Sequence, residues 1–138
     1  MTEIILKGRT IPLLYTTYEM LKIQEEIAPI GKFQYMLYGK NPDDEKDGSL
    51  YGGPEQLNAV AKLVRILGNA GLEESGEAPD LTDKKVLRAI RPAEIMKVIN
   101  ACAEEIGKGV ASEIPETKDD GPVDVTLEQM KKKETKES

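Results

Sequence analysis

Residues 54–70, PEQLNAVAKLVRILGNA, are the strongest indicator of the fold class of this chain. Their apolar side chains recur at the three- and four-residue spacing of an α-helix. The stripe consists of Leu57, Val60, Ala61, Val64 and Leu67, and it is widened by Leu63, Ile66 and Ala70. Pro54 suits the first helical turn, where the N–H that proline lacks has no partner within the helix. A stripe this wide predicts a helix at the centre of the core of a mainly α-helical fold.

This stripe has more apolar positions than one core-facing side of a helix needs. One interpretation is a helix that is buried on two sides. The other is that the surplus positions bind a client protein or a second copy of the chain. Under the second interpretation the partner-binding residues are Leu57, Val60, Leu63, Val64, Ile66 and Leu67.

The residues before this helix predict a β-hairpin and two shorter helices. Two apolar runs, 3–7 and 10–15, flank Gly8-Arg9 as a hairpin does, and Pro12 places the second strand at an edge or a bulge. Thr16 and Glu19 match a capping box at the start of an amphipathic helix that ends near Ala28. A second short helix is expected over 30–38, with Gly39 as its stop.

After the central helix, the pattern predicts a short helix starting over 80–83 and a longer one from Pro92, whose apolar stripe ends at about residue 106 and which can extend to Ile114. Residues 1–114 are therefore expected to form a small domain of four to five helices with an N-terminal β-hairpin. Residues 115–138 are expected to be a disordered charged tail, because they have too few apolar residues to offset the entropy of ordering. Within the tail, Leu127 and Met130 are predicted anchors of a helix that forms on a partner.

Composition excludes several classes of function. The 138 residues fit one domain and include no histidine and one cysteine, which leaves no Ser-His-Asp triad and no four-cysteine metal site. A net charge of −6 opposes binding to nucleic acid or to an anionic membrane. No apolar run approaches the length of a membrane helix, the N-terminus does not resemble a signal peptide, and a single thiol suits the cytoplasm. The six aromatic residues all lie within the first 51 and predict an N-terminal cluster of rings.

The residues that could bind a metal ion or act as a nucleophile are better explained by structural roles. Asp43, Glu45, Asp47 and Gly48 match the start of an EF-hand calcium loop, but the twelfth position holds Pro54 instead of a bidentate glutamate. A solvated acidic loop is therefore expected. Cys102 lies on an apolar helix face without a histidine to activate it, so we expect core packing. The sequence predicts no catalytic residue, no metal ligand and no cofactor, and hence a protein that is not an enzyme.

The order of elements resembles a known family. A short β element over residues 4–15, IILKGRTIPLLY, runs directly into the helix 17–27, TYEMLKIQEEI. This layout, together with the later helices 57–67 and 93–106 and the polar tail, resembles the tail assembly chaperones of long-tailed bacteriophages over about residues 3–110. The resemblance implies a small cytoplasmic helical protein that binds the tape measure protein and helps to recruit tail tube subunits. It carries over no binding residue by position.

Two other functions fit the same sequence. One is a structural component of the phage tail or of the head-tail junction. The other is a small regulatory adaptor whose tail folds on a cellular partner.

Overall fold

The computed structural model of the chain describes residues 2–40 and 49–111. Within these ranges an antiparallel hairpin precedes five α-helices, which confirms the predicted mainly α fold with an N-terminal β-hairpin. By its internal contacts the chain divides into two compact units, Met1–Glu105 and Ile106–Ser138. The predicted tail over 115–138, with Leu127 and Met130, lies outside the described residues.

The elements are β1 Glu3–Leu6, β2 Arg9–Pro12, α1 Thr17–Glu26, α2 Ile30–Leu37, α3 Pro54–Glu74, α4 Asp83–Ala89, a 3-10 turn Pro92–Glu94, and α5 Ile95–Ala111.

The hairpin turns at Lys7 and Gly8, one residue earlier than predicted. Both residues have positive φ, 51° and 79°, as the two central residues of a type I′ turn require. The second strand therefore starts at Arg9, with Leu6 opposite Arg9 and Ile4 opposite Ile11. Side chains alternate along β1, so Ile4 and Leu6 enter the core while Glu3 and Ile5 stay exposed.

The predicted boundaries of the first two helices hold to within two residues. Thr16 is the N-cap of α1, and the Glu19 carboxylate accepts hydrogen bonds from the Thr16 N–H at 2.9 Å and from the Thr16 hydroxyl. The capping box is therefore confirmed. Helix α1 ends at Glu26 rather than near Ala28, and α2 stops before Gly39, which has a φ of +68°.

Helix α3 continues to Glu74, past the two glycines Gly68 and Gly71. A Cβ atom at Gly71 would lie 1.9 Å from the Pro12 carbonyl oxygen, and one at Gly68 would lie 2.6 Å from Leu81 Cδ1. The Leu14 N–H also donates to the Leu67 carbonyl at 3.1 Å. At these two glycines, other segments of the same chain therefore pack directly against α3.

The described core is aliphatic. Its fully buried large side chains include Ile11, Leu13, Ile23, Leu63, Leu67, Leu72 and Ile99. Of the six aromatic residues, Phe33 alone is buried, whereas Tyr18 and Tyr51 are more than half exposed. The structure therefore does not bury the six rings together in the core, because the aromatic residues of α1 and of the turn before α3 lie on outward positions.

Candidate functional site

The structure places most of the predicted partner-binding residues of α3 in the core. These are Val60, Leu63, Val64, Ile66 and Leu67, each at most 7% exposed. Strand β2 and helices α1, α2 and α4 all pack against α3, so little of its apolar surface is left for a partner. Leu57 is half-buried. This placement corresponds to the first interpretation, in which the wide stripe belongs to a helix buried on several sides.

Exposed apolar surface lies instead on α1. Tyr18 is 63% exposed and Leu21 is 49% exposed, and we call these two residues the outward face of α1. Tyr18 and Leu21 are three residues apart and therefore neighbours on the helix surface. The opposite side of α1 is fixed in the core by Ile23, which is fully buried. The sequence carried a signal for this surface, since Tyr18 and Leu21 lie beside the stripe of Met20, Ile23 and Ile27 rather than on it.

A group of charged side chains joins α1 to α3 and α4. Arg65 of α3 donates to Glu26 of α1 through Nη2 and to Asp83 of α4 through Nε, the latter at 2.6 Å. Lys62 Nζ lies 3.1 Å from Asp83, and Lys22 Nζ lies 3.7 Å from Glu26. Each carboxylate thus faces two cations, and Arg65 is the residue that both carboxylates share.

This group lowers the pKa of its two carboxylates, Glu26 and Asp83. The hydrogen bond from Arg65 holds the pKa of Glu26 below its ordinary value, against a smaller opposing effect of burial. For Asp83 burial acts to raise the pKa, but the hydrogen bonds from Arg65 and Lys62 together outweigh it and the pKa is lowered. Both carboxylates are therefore ionised at neutral pH. The arrangement holds α1 and α4 against α3.

A buried glutamine connects the start of α3 to the end of α2. The Gln56 side chain is fully buried; its Nε2 donates to the Leu37 carbonyl at 2.8 Å, and its Oε1 accepts from the Gly52 N–H at 2.6 Å. A buried amide is stable only when such partners are present. Nothing in the local sequence distinguishes Gln56 from an exposed residue of a first helical turn.

A cleft of about 400 Å³ runs beside β1. All four residues of β1 line one wall, and the other wall includes Ala89, Ile90, Val98 and Ala101. Its volume falls within the range of small ligand sites. The exposed edge of β1 lies along this cleft.

Cys102 is a core side chain, as predicted. It is 1% exposed, and burial raises the pKa of its thiol to about 12, so that the nucleophilic thiolate is absent at neutral pH. Within residues 2–40 and 49–111, no group of three or more acidic or cysteine side chains is placed to hold a metal ion. The acidic loop residues Asp43, Glu45, Asp47 and Gly48 lie outside these ranges.

In the described part of the chain, none of the helices has both the length and the apolar character needed to cross a membrane. No protein-family model matches the sequence, and neither the curated proteins nor the solved structures provide a match.

Proposed function

We propose that this chain is a non-enzymatic tail assembly chaperone of a long-tailed bacteriophage, working in the cytoplasm of the host cell. Its client is the tape measure protein, and it helps to recruit tail tube subunits. The observation that carries the proposal is the outward face of α1, where Tyr18 and Leu21 are 63% and 49% exposed. The identity of the client comes from the resemblance in layout between this chain and the phage chaperones.

The outward face of α1 suits a helical client. A tape measure protein presents long apolar helices that need a cover until the tail is built. Amphipathic helices bind partners through anchors spaced three and four residues apart, and Tyr18 and Leu21 have that spacing. Gln24 and Glu25 lie exposed beside them and supply the polar rim that surrounds the apolar centre of a typical interface.

Helix α1 is held in place before any client arrives. Ile23 is fixed in the core, Glu19 caps the first turn, and Glu26 is joined to Arg65 of α3. A surface that is already ordered loses less entropy on binding than one that must first fold. This favours a chaperone that binds client helices on a rigid platform.

Co-expression with the tape measure protein tests the proposal. The native chain should co-purify with this client and keep it in the soluble fraction. The double variant Tyr18→Ser/Leu21→Gln should weaken binding at least about tenfold, since apolar anchors contribute most of the energy of such interfaces. Because both side chains lie outward, the variant should unfold at the same urea concentration as the native chain.

Leu87→Gln is the matched control. Leu87 is a leucine of α4 that is 38% exposed, so its replacement matches the Leu21→Gln change at a place away from α1 and should leave client binding intact. Failure of the native chain to bind the tape measure protein would contradict the chaperone proposal. Binding that survives the double variant would show that the client uses another surface. Mass spectrometry of purified phage particles addresses the structural alternative, since a tail component stays in the particle.

A further inference from the structure

The outer edge of β1 has backbone groups with no pairing partner among the described residues. The sheet has two strands, and the Leu13 N–H donates to the Thr2 carbonyl at 2.8 Å, so this pair is a hydrogen-bonded one. Bonded pairs alternate along an antiparallel ladder. Ile4 and Leu6 therefore direct their N–H and C=O groups towards β2, and Glu3 and Ile5 direct theirs away from it.

The two edges of the hairpin differ. On β2, the outward position Pro12 has no N–H, and its carbonyl oxygen lies directly against Gly71 of α3. That edge is closed to another strand. The β1 edge has no proline, and the cleft beside it separates the strand from the wall that contains Val98 and Ala101.

The side chains along the exposed side of β1 are self-complementary. Glu3 and Ile5 lie on the exposed side of β1, with Ile5 at 70%, and Lys7 follows in the turn two residues after Ile5 and is exposed as well. The order is therefore negative, apolar, positive. When such a strand lies antiparallel to its own copy about a two-fold axis at Ile5, each Glu3 faces a Lys7. Neither Glu3 nor Lys7 has an ion-pair partner among the described residues.

We infer that the outer edge of β1 pairs antiparallel with β1 of a second copy of this chain. Ile5 lies opposite the partner's Ile5, and the two residues exchange both backbone hydrogen bonds. Glu3 lies opposite the partner's Lys7 on each side of the axis. The result is a continuous four-stranded sheet in which the exposed Ile5 side chains cover one another, and the pairing gives a closed dimer, as two-fold symmetry requires.

The contact is short, so the dimer is a weak one. Interfaces that bury less than the standard area belong to transient complexes. The pairing therefore depends on protein concentration and on salt, because two of its side-chain contacts are ion pairs at the surface. This inference is independent of the chaperone proposal, since β1 and the outward face of α1 are separate surfaces.

A charge exchange tests the pairing. Sedimentation equilibrium of the full chain over rising concentration should show a monomer–dimer equilibrium. Glu3→Lys or Lys7→Glu alone places like charges opposite each other twice per dimer and should raise the dissociation constant about tenfold. The combined variant Glu3→Lys/Lys7→Glu restores opposite charges at both positions and should return the dissociation constant to near the native value.

Lys32→Glu is the control for net charge. Lys32 is exposed on α2, and its replacement changes the net charge as Lys7→Glu does but should leave the dimer intact. Hydrogen exchange gives a second measurement, because the amide of Ile5 should exchange more slowly as the concentration rises. A chain that stays monomeric throughout, or a dimer that the combined variant does not restore, would overturn the inference. So would a dimer that is lost with Leu21→Gln, since that result would place the contact on α1.

Discussion

Helices α1 and α3 look alike in sequence but occupy different environments. Both have apolar residues at helical spacing, and both were predicted as amphipathic. Helix α3 contacts β2, α1, α2 and α4, and these contacts bury most of its apolar side chains. Helix α1 has one buried side, and its outward face carries Tyr18 and Leu21. The number of apolar positions on a helix therefore identifies the central element of this fold, not the helix that keeps apolar side chains exposed.

The same substitution on the two helices should give very different results. Leu63→Ala on α3 removes a side chain that is 1% exposed and leaves a cavity, which should lower the free energy of unfolding by about 2–5 kcal/mol. Leu21→Ala on α1 should change it by no more than about 0.5 kcal/mol. Urea unfolding followed by circular dichroism measures both. Equal losses in the two variants would mean that Leu21 is packed in solution and that α1 has no free face.

Glycine substitutions test why α3 is so closely surrounded. Gly71→Ala should lower the free energy of unfolding by about 1–3 kcal/mol, because the new methyl group meets the backbone carbonyl of Pro12. Gly31→Ala in α2 is the control, since a Cβ there has nothing within 4 Å. It should raise stability by about 0.5–1 kcal/mol through helix propensity alone. A stabilising effect at Gly71 would show that β2 does not lie against α3.

Local patterns in the sequence were enough to predict the elements of the fold. The capping residues Thr16 and Glu19, the stop at Gly39 and the start at Pro54 each act within one turn of the helix that they limit. These capping and stop signals depend on residues that are close in sequence, so they can be recognised without the tertiary structure. The predicted position of the hairpin turn was one residue too late. Lys7, which is not a usual residue for positive φ, occupies the first central position of the type I′ turn.

Features that depend on distant parts of the chain could not be predicted. The requirement for glycine at position 71 comes from the Pro12 carbonyl oxygen, which is 59 residues away in sequence. Gln56 is buried because Leu37 and Gly52 supply its hydrogen bonds. The burial of the predicted partner-binding residues of α3 also depends on tertiary contacts. Periodicity shows which side of α3 is apolar, but only the tertiary structure shows that other elements cover it and that Tyr18 and Leu21 remain outside.

The smallest expected effect concerns the ion pairs through which Arg65 joins α3 to α1 and α4. Arg65→Met keeps the apolar stem of the side chain but removes the group that Glu26 and Asp83 share. It should lower the free energy of unfolding by about 1–2 kcal/mol at neutral pH. Lys22 and Lys62 still face the two carboxylates, which limits the loss. Arg88→Met on α4, where the arginine is exposed, is the control and should have almost no effect.

The pH dependence of this variant identifies the cause of the loss. Because the pKa values of Glu26 and Asp83 are lowered in the folded chain, the stabilisation is fully present above the ordinary carboxyl pKa, about 4. It disappears as the pH falls through the lowered values and the carboxylates take up protons. The difference between native chain and variant should therefore narrow below about pH 4, and a constant difference would assign the loss to packing instead. Hydrogen exchange should quicken in α1 while α3 stays protected, since Arg65 holds α1 to a helix that the rest of the core already fixes.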